Sequence, residues 1–186
     1  MIKLIAAVSK NDVIGSNGGI PWKISADLKR FKALTLYNAV IMGRKTYDSI
    51  GKPLPDRMNY VVSQTPIENE KVHVCSSVEE AVKQAEATDC IDVFGIGGTK
   101  IYQALLPKAT HLHLTIVNKN FFGDTWFPLF HLESWDTIAV TKPEAVKESE
   151  PPYLFVELER VANDPEGSPS LSSFPTWVDS LFNLHV

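Results

Sequence analysis

In IPWKISADLKRF, residues 20–31, an acidic side chain falls where apolar ones recur. Ile24, Leu28 and Phe31 follow helical spacing, and at about 100° per residue Asp27 lies between Phe31 and Leu34 on that face. One reading makes Ser25 the helix cap and puts Asp27 in the first turn, where its charge complements the positive end of the helix dipole. The other makes the face the floor of a pocket, whose carboxylate meets a cationic or hydrogen-bond-donating ligand.

Two further stretches set cations where a helix disfavours them. VIMGRKTY places Arg44 and Lys45 at a helix start after a strand and Gly43, and FGIGGTKIY places Lys100 likewise after Gly97 and Gly98. The free N–H groups of a helix start already present positive potential, which a bound anion, typically phosphate, reverses. Two strand–glycine–basic junctions imply the two ends of one polyphosphate or dinucleotide ligand. Neither is a Rossmann fingerprint, because G-x-G-x-x-G requires glycine where Lys100 stands, and no Walker motif occurs.

Other chemistry is poorly supported. His111 and His113 share a strand face without an evident third ligand and are expected to be a solvent-facing pair, so no metal is expected. Cys75 and Cys90 form no CxxC pair and fit a reducing cytoplasm. Trp126 and Phe127, in GDTWFP, read as structural aromatics.

Strands are expected at 2–8, 39–43, 59–63, 71–75, 90–96 and 111–117, with helices at 25–35, 44–50, 77–87 and 99–106. The third helix carries a capping box, Ser77 and Glu80, and buries Val78, Ala81, Val82 and Ala85. This alternation predicts an α/β domain with a central, mostly parallel sheet flanked by helices. SWDTIAVT and YLFVELERV add an antiparallel C-terminal edge hairpin. The domain is expected over 1–161, followed over 162–186 by a linker, NDPEGSPS, and a short apolar tail. In that tail Trp177, Leu181 and Leu184 follow helical spacing, and with Phe182 they are expected to cover a patch on their own chain or a neighbour.

The 186 residues suit one domain, 44% hydrophobic and 22% charged, and the net charge of −4 argues against nucleic-acid or anionic-membrane partners. The N-terminal apolar run is too short for a signal peptide or membrane span, so a cytoplasmic protein is expected.

LIAAVSKNDVIG, IPW, ADLKRFK, VIMGRKTYDSIGKPLPDR, GIGGTKIY, LPKA and GDTWFP, in that order, closely resemble bacterial dihydrofolate reductase over residues 1–161. The resemblance implies NADPH-dependent reduction of 7,8-dihydrofolate to tetrahydrofolate, by hydride transfer to pterin C6 with protonation of N5, in one-carbon metabolism. It implies antifolate binding and a monomer, with self-association through the tail left open. Asp27 matches the pocket carboxylate, Thr115 the hydroxyl bridging it to the pterin, Trp22 a holder of an active-site water, and Ile20 a loop residue at the reacting centre. Ile5, Ala6, Ala7, Leu28, Phe31 and Ile50 match the apolar walls, Leu54 the residue beside the benzoyl group, and Arg57 the grip on the glutamate tail. Lys32, Ile96 and Tyr102 complete the implied substrate set.

For the cofactor the resemblance implies Gly43, Arg44, Lys45, Thr46 and Ser49 at the first junction. At the second it implies Ile96, Gly97, Gly98, Thr99, Lys100, Ile101 and Tyr102, with a cis peptide joining the glycines. Ala7, Ser63, Gln64 and Thr125 join them, and Ile14, Gly15, Asn17 and Ile20 belong to a mobile loop over the nicotinamide. Adjacent glycines in GSNGGIPW depart from the family pattern and imply looser closure of that loop. Gln64 departs too, standing where a small hydroxyl or basic residue is common. The alternatives are a riboflavin-pathway reductase, which shares this fold, and a nucleotide-binding scaffold protein.

Overall fold

Short apolar runs too brief for helices supply the strands of the computed structural model, which describes residues 1–143, 147–162 and 174–185. The expected linker, 163–170, lies outside the described residues. Along the chain come β1 (Ile2–Ser9), β2 (Val13–Gly15), α1 (Ser25–Thr35), β3 (Ala39–Gly43), α2 (Arg44–Ile50), β4 (Met58–Val62), β5 (Val72–Cys75) and α3 (Val78–Glu86). After them come β6 (Val93–Gly97), α4 (Thr99–Leu105), β7 (His111–Val117), β8 (Thr125–Trp126), β9 (Trp135–Thr141), β10 (Tyr153–Arg160) and α5 (Phe174–His185). The main sheet runs β5-β4-β3-β6-β1-β7-β10-β9, while β2 and β8 form a separate two-stranded ladder. Pairing is parallel from β5 to β1 and antiparallel among β7, β10 and β9. A mostly parallel α/β sheet with an antiparallel edge is thus the observed architecture.

The chain forms two compact units, Met1–Ile5 with Leu28–Ala109, and Ala6–Asp27 with Thr110–Val186; β1 and α1 each run from one into the other. In the first, Ile5, Val40, Met42, Val61, Val72, Phe94 and Ile96 form a buried cluster against which Phe31, Ile50 and Leu54 pack. The buried Asn59 side chain accepts from Leu54 N and donates to Leu54 O and Arg57 O, each at 2.9 Å. Three bonds from one buried amide fix the loop that presents Leu54 and Arg57. On α3 the Ser77 hydroxyl accepts from Glu80 N at 3.1 Å, as a cap should, and Ala81, Val82 and Ala85 are buried, whereas Val78 is only half-buried.

In the second unit Trp22, Ile24, Val117 and Tyr153 form the buried cluster. The chain leaving β1 is held by side chains: Ser9 Oγ accepts from Val13 N at 2.9 Å, and Asn11 exchanges hydrogen bonds with the backbone of Phe121. Asp12 occupies the left-handed region at φ 63°, and burial raises its carboxyl pKa. Because the unfolded chain ionises first, stability falls as pH climbs from about 3.9 through the folded value. Asp12→Asn, which tolerates the same backbone, is therefore expected to raise Tm at neutral pH. That gain should vanish near about pH 3. Melts that coincide for both proteins at neutral pH would refute the burial cost.

Several expectations are corrected. On α1, Leu28 is 64% exposed, whereas Phe31 and Leu34 are half-buried against the core cluster, so the stripe is only in part a core face. Ser25 is the first helical residue; its N–H donates to Glu150 Oε1 at 3.0 Å and its hydroxyl accepts from Lys147 Nζ at 3.1 Å. A carboxylate from a distant segment thus takes the N–H of Ser25 itself. Trp126 is 49% exposed, whereas Phe127 is buried. His113 is buried and His111 half-buried, their rings stacked and facing Glu157 and Glu159 across the β7–β10 ladder. On α5, among the described side chains, Val178, Leu181 and Phe182 are buried, whereas Leu184 is 79% exposed.

Candidate active site

Strand β7 is buried at every position from Leu112 to Val117, so the Thr115 hydroxyl, 1% exposed, requires an internal partner. It donates to Asp27 Oδ1 at 2.6 Å, a short charge-assisted bond to the first turn of α1. The register sets Phe155 opposite Thr115 and Tyr153 opposite Val117, and the Tyr153 and Phe155 rings meet edge to face, with centroids 5.4 Å apart. Trp22 packs in the same cluster. Burial above all, then Glu150 and Asp27, raises the Tyr153 phenol pKa, so the phenol stays protonated. Trp22 Nε1 and Tyr153 Oη are buried without a hydrogen-bond partner among the described residues, two donors suited to a polar ligand or water.

The segment entering this cluster carries the expected loop residues. Ile14 and Gly15 are half-buried on or beside β2, whose partner β8 contributes Thr125. The Thr125 hydroxyl donates to Asp124 Oδ1 at 2.8 Å, while Asp124 Oδ2 accepts from Asn17 N at 2.9 Å. Ser16 and Gly19 exchange backbone bonds of 2.8 and 3.0 Å, closing a turn that includes both adjacent glycines. Ile20, 55% exposed, lies just beyond it.

In the other unit Arg57 is positioned by two acceptors: Nε donates to Pro55 O at 2.9 Å and Nη1 to Thr35 Oγ1 at 3.1 Å. Its guanidinium carbon lies 5.9 Å from the Phe31 ring centroid. Burial holds its pKa below the ordinary guanidinium value, with Asp56 pulling the other way, and it remains a cation. Leu28 and Lys32 are exposed on the same helix, while Ile50 and Leu54 are half-buried. Ile5 and Ile96 are buried in the core cluster against which Ile50 and Leu54 pack. On β1, Ala6 is buried and Ala7 half-buried in the second unit.

The two basic junctions are neighbours because β3 and β6 are paired, with Met42 opposite Gly97. A Cβ on Gly43 would stand 3.9 Å from Gly98 N, and one on Gly98 would stand 3.7 Å from Thr46 Oγ1. The expected cis peptide joins Gly97 and Gly98. Gly97 has φ 115°, and an added Cβ would press on the Tyr102 ring at 3.3 Å. Tyr102 is itself fixed by its hydroxyl donating to Ile5 O at 2.9 Å. Ile101 is buried, Thr99 half-buried, and Lys45, Ser49 and Lys100 are exposed. A bare-backbone cradle beside the Thr46 hydroxyl, with a lysine in the first turn of each following helix, fits a phosphate-bearing cofactor.

Arg44 lies beside that cradle. Its Nε donates to both Asp48 oxygens at 2.9 and 3.1 Å, and Nη1 donates to Thr65 Oγ1 at 2.9 Å. Ser63 Oγ lies 3.2 Å from the same Thr65 hydroxyl. Gln64 instead donates to Ser76 O at 2.8 Å. Thr65, which sequence reasoning passed over, therefore joins Arg44 and Ser63, and its only signal was a hydroxyl one position beyond Gln64. No group of three or more His, Cys, Asp or Glu placed to hold a metal occurs among the described residues, and no described helix is long and apolar enough to cross a membrane.

The dihydrofolate reductase family model matches residues 1–160. Dihydrofolate reductase type 3 of Salmonella typhimurium is 41% identical over 161 residues, which are 86% of this chain and 98% of the relative. Dihydrofolate reductase of Staphylococcus haemolyticus is 37% identical over 155 residues, covering 83% and 91%. Among solved structures, dihydrofolate reductase from Enterococcus faecalis, complexed with NADP(H) and RAB-propyl, aligns with a TM-score of 0.78 at 33% identity, covering 86% of this chain and 96% of that one.

Proposed function

The chain belongs to the dihydrofolate reductase family, and from that premise we propose that it reduces 7,8-dihydrofolate to tetrahydrofolate with NADPH through the side chains described above. The observation that carries the residue assignment is the Thr115–Asp27 bond, which sets a carboxylate on a helix face whose Leu28 stays open to solvent. The riboflavin-pathway and scaffold readings are not favoured, because the family match spans residues 1–160.

The bound cofactor supplies the hydride that reaches pterin C6. Asp27 accepts hydrogen bonds from the pterin edge opposite the reacting bond, while Thr115 fixes the carboxylate and reaches the same edge. Trp22 Nε1 holds the water from which a proton reaches N5, and the Asp27 charge stabilises the cation developing there. Ile5, Ala6, Ala7, Leu28, Phe31 and Ile50 exclude bulk water, which strengthens that charge interaction. Leu54 flanks the benzoyl group and Arg57 binds the glutamate carboxylate. Gly43, Thr46, Gly97, Gly98 and Thr99 take the cofactor phosphates, with Lys45 and Lys100 adding charge. Ile14, Gly15, Asn17 and Ile20 cover the nicotinamide. The protein acts as a cytoplasmic monomer, and the diaminopyrimidine of antifolates occupies the Asp27 end of the site.

A spectrophotometric assay of NADPH loss tests the activity, and it must depend on added dihydrofolate. Cofactor choice tests the Arg44 cluster. The Arg44–Asp48 pair is largely exposed, at 39% and 54%, so it yields readily to a stronger anion. One charge-assisted bond to the adenosine 2′-phosphate contributes about 1.5–3 kcal/mol, roughly a ten- to hundredfold preference for NADPH over NADH. Arg44→Ala is expected to remove most of that preference in kcat/KM. A preference that survives intact moves the role to Lys45 or Lys100.

A further inference from the structure

Helix α5 lies beyond residue 160, where the family model's match ends, and one relative aligns over 161 residues that are 98% of its length. It nevertheless packs as part of the second unit. Val178 is wholly buried and Leu181 and Phe182 nearly so, while Asp179, one residue along, forms an ion pair with Lys10. Lys10 is the first residue after β1 and begins the segment that carries Ile14, Asn17, Ile20 and Trp22.

Ser9 holds the start of that segment and the Val117–Tyr153 cluster holds Trp22, and a further set of hydrogen bonds joins it to one stretch of chain. Lys10 N donates to Lys119 O at 3.3 Å, Asn11 exchanges bonds with Phe121, and Phe127 N donates to Asp12 O at 2.8 Å. Asp124 then takes Asn17 N through its carboxylate. All partners in this set lie between residues 119 and 127. The α5 contact is a separate anchor, arriving from a helix 169 residues away in sequence. Apolar burial seats the helix, and the partly exposed ion pair ties it to the root of the segment.

We propose that α5 is an intramolecular brace for residues 10–22, restraining the opening of the segment that covers the nicotinamide and prolonging the residence of bound cofactor. Asp179 and Lys10 are positioning residues in this scheme, remote from the reacting atoms. The proposal rests on the reading of that segment given above. Its structural half, restraint of the segment, stands apart from catalysis.

The experiment uses the full chain. Val178→Asp sets a charge on the buried face of α5, Leu184→Asp sets one on the exposed face, and Lys10→Asp, Asp179→Lys and their double swap address the ion pair. Amide hydrogen exchange is followed over residues 10–17, and NADPH dissociation is followed by stopped flow. Val178→Asp is expected to speed both severalfold, with single-turnover hydride transfer unchanged, while Leu184→Asp matches wild type. Each single charge reversal should speed exchange and release in the same direction, and the double swap should restore both. Exchange and release at wild-type values in Val178→Asp would overturn the brace. Should that variant fail to fold, wild-type values in both single reversals overturn it equally. Faster exchange in Val178→Asp, together with a wild-type protein that does not reduce dihydrofolate, would support the brace and defeat the functional reading instead.

Discussion

Asparagine in place of Asp27 is expected to lower kcat/KM for dihydrofolate by roughly 10²–10⁴-fold, while NADPH affinity stays within about twofold of wild type. The substitution is nearly isosteric, and its amide oxygen can still accept from Thr115, which donates to Asp27 at 2.6 Å in the native protein. What changes is the other oxygen, which becomes an N–H donor facing the pterin's own donors. The negative charge opposite N5 is also lost. Both losses bear on the transition state more than on the ground state, so kcat should fall with kcat/KM. Cofactor affinity should be spared, because the proposed assignment gives the phosphates to Gly43, Arg44 and the Gly97–Gly98 turn. Methotrexate offers a second readout: its protonated diaminopyrimidine should lose about 10–100-fold in affinity for each charge-assisted bond removed. Near-native turnover in Asp27→Asn, or equal inhibition of both proteins, would take Asp27 out of the site.

Asp27 also shows where the sequence was informative. Its position among Ile24, Leu28 and Phe31 raised a question that periodicity alone left open, because a stripe facing ligand has the same spacing as one facing core. Only the 64% exposure of Leu28 separates the two. Thr115 carried no local signal of its own: HLHLT does not reveal that one hydroxyl meets a carboxylate 88 residues away, and only the family resemblance named it. The parallel strands were legible because each is a short buried apolar run bounded by turn residues, as Ala39–Gly43 illustrates. The β2–β8 ladder was missed because strands of three and two residues exist only through their pairing. On α5 the apolar arc is broad, so spacing admitted Leu184 at its edge and passed over Val178, whereas Leu181 and Phe182 are buried as expected. Gln64 and Thr65 differ in side-chain direction, which the sequence order does not encode.

Removing the fork of Arg57 should have the second large effect, on KM rather than kcat. A guanidinium gripping a carboxylate contributes two charge-assisted bonds at about 1.5–3 kcal/mol each, discounted for its half-exposed setting. Arg57→Leu is therefore expected to raise KM for dihydrofolate roughly 100-fold. The glutamate is remote from C6 and N5 and is bound equally in ground and transition states, so kcat should change little. Arg57→Lys should recover only a minor part, since an ammonium keeps the charge but not the paired geometry that Pro55 O and Thr35 Oγ1 impose on the guanidinium. The fold should survive both changes. Thr35 still donates to Phe31 O at 2.7 Å, and Asn59 still holds the Leu54 loop. A reduced-pterin substrate lacking the glutamate separates binding from damage: its kcat/KM should be the same in wild type and Arg57→Leu. A KM for dihydrofolate that stays at the native value in Arg57→Leu would show that the glutamate is held elsewhere. Equal losses on both substrates would make Arg57 a structural residue, supporting Phe31 and Thr35 rather than meeting the ligand.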